Sequence, residues 1–164
     1  MDESHRLYFR QVYRIACSST NPIDKNAAGI AFDHQGEILG GASNSISDYQ
    51  EWMSAPPYLH YFSEHPEVNT IQKFKTANLP TEGTNLYVPW GSSPRSVKYI
   101  VDARIAKVIY HINALDTLPT QSRKFCQFGI DLLGRFGVQV DFYRGKIFTH
   151  DEIEVQIRGR SFFP

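Results

Sequence analysis

Helical and strand-like spacings of apolar residues follow one another along the chain. From Leu7 to Ser19, the positions Tyr8, Val12, Ile15 and Ser19 keep helical spacing, and Asn21-Pro22 stops the run. AAGIAFD (27–33) and EILGGAS (37–43) are β-branched and small-residue runs about the turn His34-Gln35-Gly36, which predicts an antiparallel hairpin. Residues 44–64 keep neither period. With Pro56-Pro57 and the aromatics Tyr49, Trp52, Tyr58, Tyr61 and Phe62, they predict an ordered surface loop, covering a pocket or partner or packed on the sheet as a satellite cluster.

Pro66 to Ala77 is the next predicted helix, with Pro66 at its first position, Val68, Ile71 and Phe74 on one face, and Asn78-Leu79-Pro80 as its stop. Thr84 to Val88 is a short strand. Ser93-Pro94 supplies an N-cap and first-turn proline for a helix carrying Val97, Ile100, Val101 and Ile105, and Lys107 to Ile112 is a strand again. Strand, helix and strand in so short a span form a βαβ unit with parallel strands. The grammar then repeats: Gln121 to Arg135 is helical, with Phe125, Phe128, Leu132 and Phe136 in line, followed by Gly137 and the strand VQVDFY (138–143). Thr149 and Glu152 make a capping-box pattern for a short terminal helix. This order predicts a three-layer α/β sandwich in a single domain over 1–164, with its core at about 7–143 and a C-terminal extension over 144–164.

Charge narrows the partners. The chain has 17 basic and 17 acidic residues, so no net field draws it to nucleic acid or anionic lipid, and a nucleic-acid partner is not expected. Cys17 and Cys126 form no CxxC pair and match no disulfide or zinc-finger framework, which suits reduced thiols. The first twenty residues carry charges at positions 2, 3, 6, 10 and 14, unlike a signal-peptide core, and no stretch approaches the roughly 18 apolar residues of a membrane span. A cytoplasmic protein is expected.

Candidate chemistry gathers at three places: His65-Pro66-Glu67 opening the second helix, Pro89 closing the third strand, and the helix that begins directly after it. By itself His-Pro-Glu fits a helix start, where the macrodipole favours an acidic first-turn residue. In zinc-dependent nucleobase deaminases the same order reads H-x-E followed by P-C-x-x-C, the His and two thiolates holding Zn²⁺ and the Glu moving protons. The chain resembles the cytidine/deoxycytidylate deaminase superfamily, and within it the deoxycytidylate deaminases, through AAGIAFDHQGEILGGASN (27–44) and GTNLYVPWGSSPRSVKYIVDARIAKVIYH (83–111). That resemblance implies a five-stranded mixed sheet of order 2-1-3-4-5 with helices on both faces. It further implies His65 as a metal-ligand position, Glu67 as proton shuttle, Asn44 as a sugar contact, and assembly through helical faces into homo- or hetero-oligomers.

The departure is in VPWGSS (88–93), where Trp90 and Ser93 stand at the two thiolate positions, leaving only His65 of the three ligands. Neither Trp nor a neutral serine belongs to the usual zinc donors. Zinc lowers the pKa of bound water by about nine units, about 12 kcal/mol, whereas general-base help from a lone glutamate gives about 10²- to 10⁴-fold. Hydrolytic deamination of the usual kind is therefore expected to be lost, with no metal and no other cofactor. His60, His111 and Cys126 are other donors, without motif spacing.

Alternatives remain at several positions. Trp90 either fills the space of the metal or offers a platform for a substrate ring; Ser93-Pro94 is explained by capping; Asn44 is a sugar contact or a turn residue. The RGR tail (158–160) with Phe162-Phe163 is a partner contact or a loose end. The leading expectation is a zinc-less deaminase-fold pseudoenzyme, its Glu67 a relic, that binds a nucleotide or a protein partner, with Asn44 and Trp90 as substrate-binding positions. The alternatives are an active deoxycytidylate-type deaminase with an altered metal site, and an interaction protein whose old pocket Trp90 fills.

Overall fold

A computed structural model describes residues 3–21, 24–31, 37–42, 44–45, 63–149 and 153–164. The first helix, α1 (Glu3–Ala16), buries Phe9, Val12, Tyr13 and Ala16, an i, i+3, i+4, i+7 stripe. It starts and stops earlier than the spacing predicts. Tyr8 and Ile15 flank the stripe, and Ser19 lies past the end, where its N–H reaches the Ala16 carbonyl.

Strands β1 (Ala27–Ala31) and β2 (Ile38–Ala42) pair antiparallel, Gly29 opposite Gly40, as predicted, although the turn at 34–36 lies outside the described residues. Of the aromatic loop, Tyr49, Trp52, Tyr58, Tyr61 and Phe62 also lie outside them. Its two ends are described. They pair as the short strands β3 (Asn44–Ser45) and β4 (Ser63–Glu64), which brings the chain back beside Asn44 just before His65.

Then follow α2 (Pro66–Thr76), β5 (Asn85–Val88), α3 (Pro94–Asp102), β6 (Lys107–His111), a short α4 (Ile112–Asp116), α5 (Thr120–Arg135) and β7 (Gln139–Tyr143). The main sheet runs β2-β1-β5-β6-β7, antiparallel across β1 and parallel from β5 to β7. Counted within the sheet this is 2-1-3-4-5, the order the resemblance implies.

Two expectations need correcting. The line Phe125, Phe128, Leu132 and Phe136 is not the core face of α5: Phe125, Phe128 and Phe136 are 53%, 53% and 62% exposed, and the helix buries Cys126, Gly129, Ile130 and Leu133 instead. Among the described residues the tail is not a helix either. Beyond 150–152, which lie outside the description, β8 (Val155–Ile157) and β9 (Arg160–Phe162) form a hairpin, Ile157 opposite Arg160. Alternation of buried Val155 and Ile157 about half-buried Gln156 suits a strand, and that period overrides the capping-box signal. Nor is the tail loose: Phe162 packs on Tyr13 and His111, with ring centroids 6.4 and 6.1 Å apart.

His111, a spare metal donor on sequence grounds, is taken up in that same layer. The Tyr13 hydroxyl donates to its Nδ1 at 2.7 Å, and its Nε2–H donates to the Gly145 carbonyl at 2.8 Å. Burial pulls its pKa down to about 4, against the opposing pull of the Gly145 bond, so the ring is neutral. No helix among the described residues is long and apolar enough to cross a membrane.

Candidate functional site

Placement of the site begins with how α2 is fixed to the hairpin. Thr70 is fully buried; its hydroxyl lies 2.8 Å from the Ala28 and Pro66 carbonyls and accepts the Gly41 N–H at 2.9 Å. Asn69 donates to the Ala42 carbonyl at 2.7 Å and Lys73 to the Gly40 carbonyl at 2.8 Å. Three side chains of one helix face thus hold two turns of α2 against β2. A Cβ at Gly41 would come within 2.7 Å of the Asn69 Cβ, so this approach needs glycine there.

At the start of the fixed helix, His65 is the N-cap residue by backbone (φ −72°, ψ 138°), yet its side chain makes no capping bond, and Pro66 follows at the first position. Glu67 is 2% exposed. An acidic residue that served only the helix dipole would gain nothing by leaving water; a carboxylate held inside carries a desolvation cost that points to a specific environment. Its charge is felt by two buried neighbours, the Tyr110 hydroxyl and the Cys126 thiol.

The turn after β5 forms the opposite wall. Trp90 is 6% exposed and belongs to the hydrophobic core. Gly91 lies against Cys126, where a Cβ would meet the cysteine Cβ at 2.3 Å, and the Ser92 carbonyl lies where a Cβ on Gly129 would meet it at 2.0 Å. The turn therefore rests on α5 through small residues. Buried Ser92 accepts a hydrogen bond from the Tyr110 hydroxyl at 2.9 Å; burial, first of all, holds that hydroxyl well above its ordinary pKa and so protonated. Ser93 is an N-cap, its Oγ accepting the Ser96 N–H at 3.2 Å, as the sequence predicts.

These walls enclose a cavity of about 500 Å³. His65, Glu67, Trp90 and Ser93, from distant stretches of sequence, all line it. Asn44 pairs by its backbone with Glu64, which also lines the cavity. Further lining residues carry no motif: Asp24 and Asn26 before β1, Arg95 in the first turn of α3, Gln121 and Cys126 on α5, and Arg158 from the C-terminal hairpin. In the sequence Arg158 belongs to the RGR run (158–160), which reads as a partner contact or a loose end and not as part of a cavity.

Among the described residues the donor set does not fit zinc. Ser93 is engaged as a cap, Trp90 offers no lone pair to a metal, and burial, reinforced by the Glu67 charge, pushes the Cys126 thiol up to about 11. His111 belongs to the α1 layer, and His60 lies outside the described residues. Among the described residues, no three His, Cys, Asp or Glu side chains are grouped so as to hold a metal ion.

No family model matches the chain. No curated protein matches it either. Solved structures do. The dCMP deaminase of the cyanophage S-TIM5 superimposes in its apo form with a TM-score of 0.63 at 22% identity, over 87% of this chain and 99% of that one. The same enzyme in complex with dCMP and dUMP gives 0.65 at 21% identity, over 87% and 98%. A diaminohydroxyphosphoribosylaminopyrimidine deaminase/5-amino-6-(5-phosphoribosylamino)uracil reductase of Thermotoga maritima gives 0.62 at 14% identity, over 85% of this chain and 36% of that one. The chain has the α/β fold of the cytidine/deoxycytidylate deaminases.

Proposed function

We propose that the protein is a zinc-independent member of this fold that binds a nucleotide in the cavity between α2, the turn after β5 and α5, and does not hydrolyse it. One observation carries the reading: an open cavity of about 500 Å³ persists beside buried Trp90, with a buried carboxylate in its wall and, among the described residues, without a set of metal donors. A volume of that size lies within the range of small-molecule sites. Glu67, Gln121 and Asn26 supply acceptors and donors suited to the edge of a base, and Trp90 supplies an apolar wall.

The exposed stripe of Phe125, Phe128 and Phe136 on α5 supports assembly with a second copy or another protein through that helix. Sedimentation of the wild type beside a Phe128→Glu, Phe136→Glu variant tests this.

Thermal shift against a panel of nucleotides tests the binding reading. One or more should raise the melting temperature saturably, as linkage requires, with no dependence on added zinc or chelator. Turnover of dCMP that disappears in Glu67→Gln, or one equivalent of tightly held zinc in the purified protein, would refute it.

A further inference from the structure

Resting on the binding reading above, the C-terminal hairpin indicates which part of the ligand is recognised. The loop joining β8 to β9 has two residues, Arg158 and Gly159, both with positive φ, 52° and 72°. This is the type I′ pattern, which favours Asn-Gly or Gly-Gly, because residues with a Cβ are strained in the left-handed region and Asn, Asp and His tolerate it best. Arginine gains nothing locally from that conformation.

What it gains is position. Its N–H donates to Asp24 Oδ1 at 2.8 Å, and its guanidinium Nη1 lies 3.1 Å from Asp24 Oδ2, so one carboxylate holds both the turn and the side chain. Both residues line the cavity. The charge is felt inside it, since Arg158 acts on the Cys126 thiol against the stronger effects of burial and Glu67. Arg95 lines the same space from the first turn of α3. The cavity wall is therefore of mixed sign: the carboxylates of Asp24, Glu64 and Glu67 with His65, and two guanidinium groups contributed by α3 and the hairpin. A planar guanidinium fork matches an oxyanion in two-point geometry.

We propose that Arg158, with Arg95, reads the 5′-phosphate of a nucleoside monophosphate whose base faces Glu67 and His65. A strained backbone placing a charged side chain in a cavity is a feature whose cost function explains and turn chemistry does not. The hairpin is then part of the binding site, and Asp24 is the positioning residue of its reader.

Calorimetric titration of the full chain with dCMP, dUMP, the matched nucleosides and inorganic phosphate tests this. Wild type should bind a monophosphate at least about tenfold more tightly than its nucleoside. In Arg158→Asn, which keeps a residue suited to the turn, that preference should fall towards one with nucleoside affinity unchanged; Arg158→Lys and Arg95→Gln should each lose part of it. An unchanged preference in Arg158→Asn overturns the assignment, as does equal wild-type affinity for nucleotide and nucleoside. Parallel weakening of both ligands would mark a merely structural role and also overturns it. If inorganic phosphate alone binds, in an Arg158-dependent way, the oxyanion site stands and the nucleotide reading fails. If nothing binds to wild type, both fail.

Discussion

Acid should destabilise this protein through His111 before its carboxylates titrate. The ring is buried, accepts from Tyr13 and donates to Gly145, and burial is the main reason that its pKa falls from 6.5 to about 4 on folding. Above pH 6.5 the imidazole is neutral in both states and stability is full. As pH falls through 6.5 the unfolded chain takes up a proton that the folded one refuses, so stability is lost until about pH 4, below which both states are charged. The gap from 6.5 to about 4 is worth about 3 kcal/mol in total, of which about 2 kcal/mol is gone by pH 5. That is a large share of the roughly 5–15 kcal/mol of a typical domain. Urea unfolding of wild type and His111→Gln across pH 7.5 to 4.5 measures it: the variant, less stable at neutral pH, should have the flatter profile. Parallel profiles, or an imidazole that titrates near 6.5 by NMR in the folded protein, would refute the reasoning.

Two glycines of α5 should respond in opposite directions to alanine. Gly134 has open space around it, so Gly134→Ala should gain about 0.5–1 kcal/mol of helix propensity, whereas Gly129→Ala drives a Cβ into the Ser92 carbonyl and should cost about 1–3 kcal/mol before that gain is counted, read as a higher and a lower melting temperature. Thr70→Val leaves the buried Gly41 N–H without its acceptor and should cost about 1–3 kcal/mol by chemical denaturation, with faster amide exchange at Gly41. Ser93→Ala removes the α3 cap and should cost about 1 kcal/mol by the same denaturation measurement.

Most of the fold was legible because its signals are periodic. Short apolar strand runs and proline-started helices place β5, β6 and β7 within a residue of where they lie and fix the start of α3, which ends at Asp102, before the predicted Ile105. The face of α5 was not legible in the same way. Its apolar stripe of phenylalanines competes with a face made of Cys126 and Gly129, and packing against the Gly91-Ser92 turn selects small size over hydrophobicity. At the site, order and spacing together with the family resemblance single out His65, Glu67, Trp90 and Ser93, and these four line one cavity. Asp24, Cys126 and Arg158 carry no motif, and they reach the cavity only because separate segments converge there in the folded chain. The tail hairpin was missed because the capping-box pattern of Thr149 and Glu152 points to a helix, and the alternation over Val155–Ile157 spans only three residues.

Strand β2 lies at the margin of the main sheet, where unpaired main-chain groups would invite another chain to add on. Asn69 and Lys73 occupy its Ala42 and Gly40 carbonyls, and Gln11 accepts the Ile38 N–H at 3.2 Å. The side chains that set the height of α2, and with it the depth of Glu67, are thus also a seal against strand addition. Replacing Asn69 or Lys73 with an apolar residue would loosen the cavity wall and open a template for aggregation in one step. Selection for solubility alone would then keep a deaminase-like cavity in shape, even in a lineage that no longer used it for chemistry.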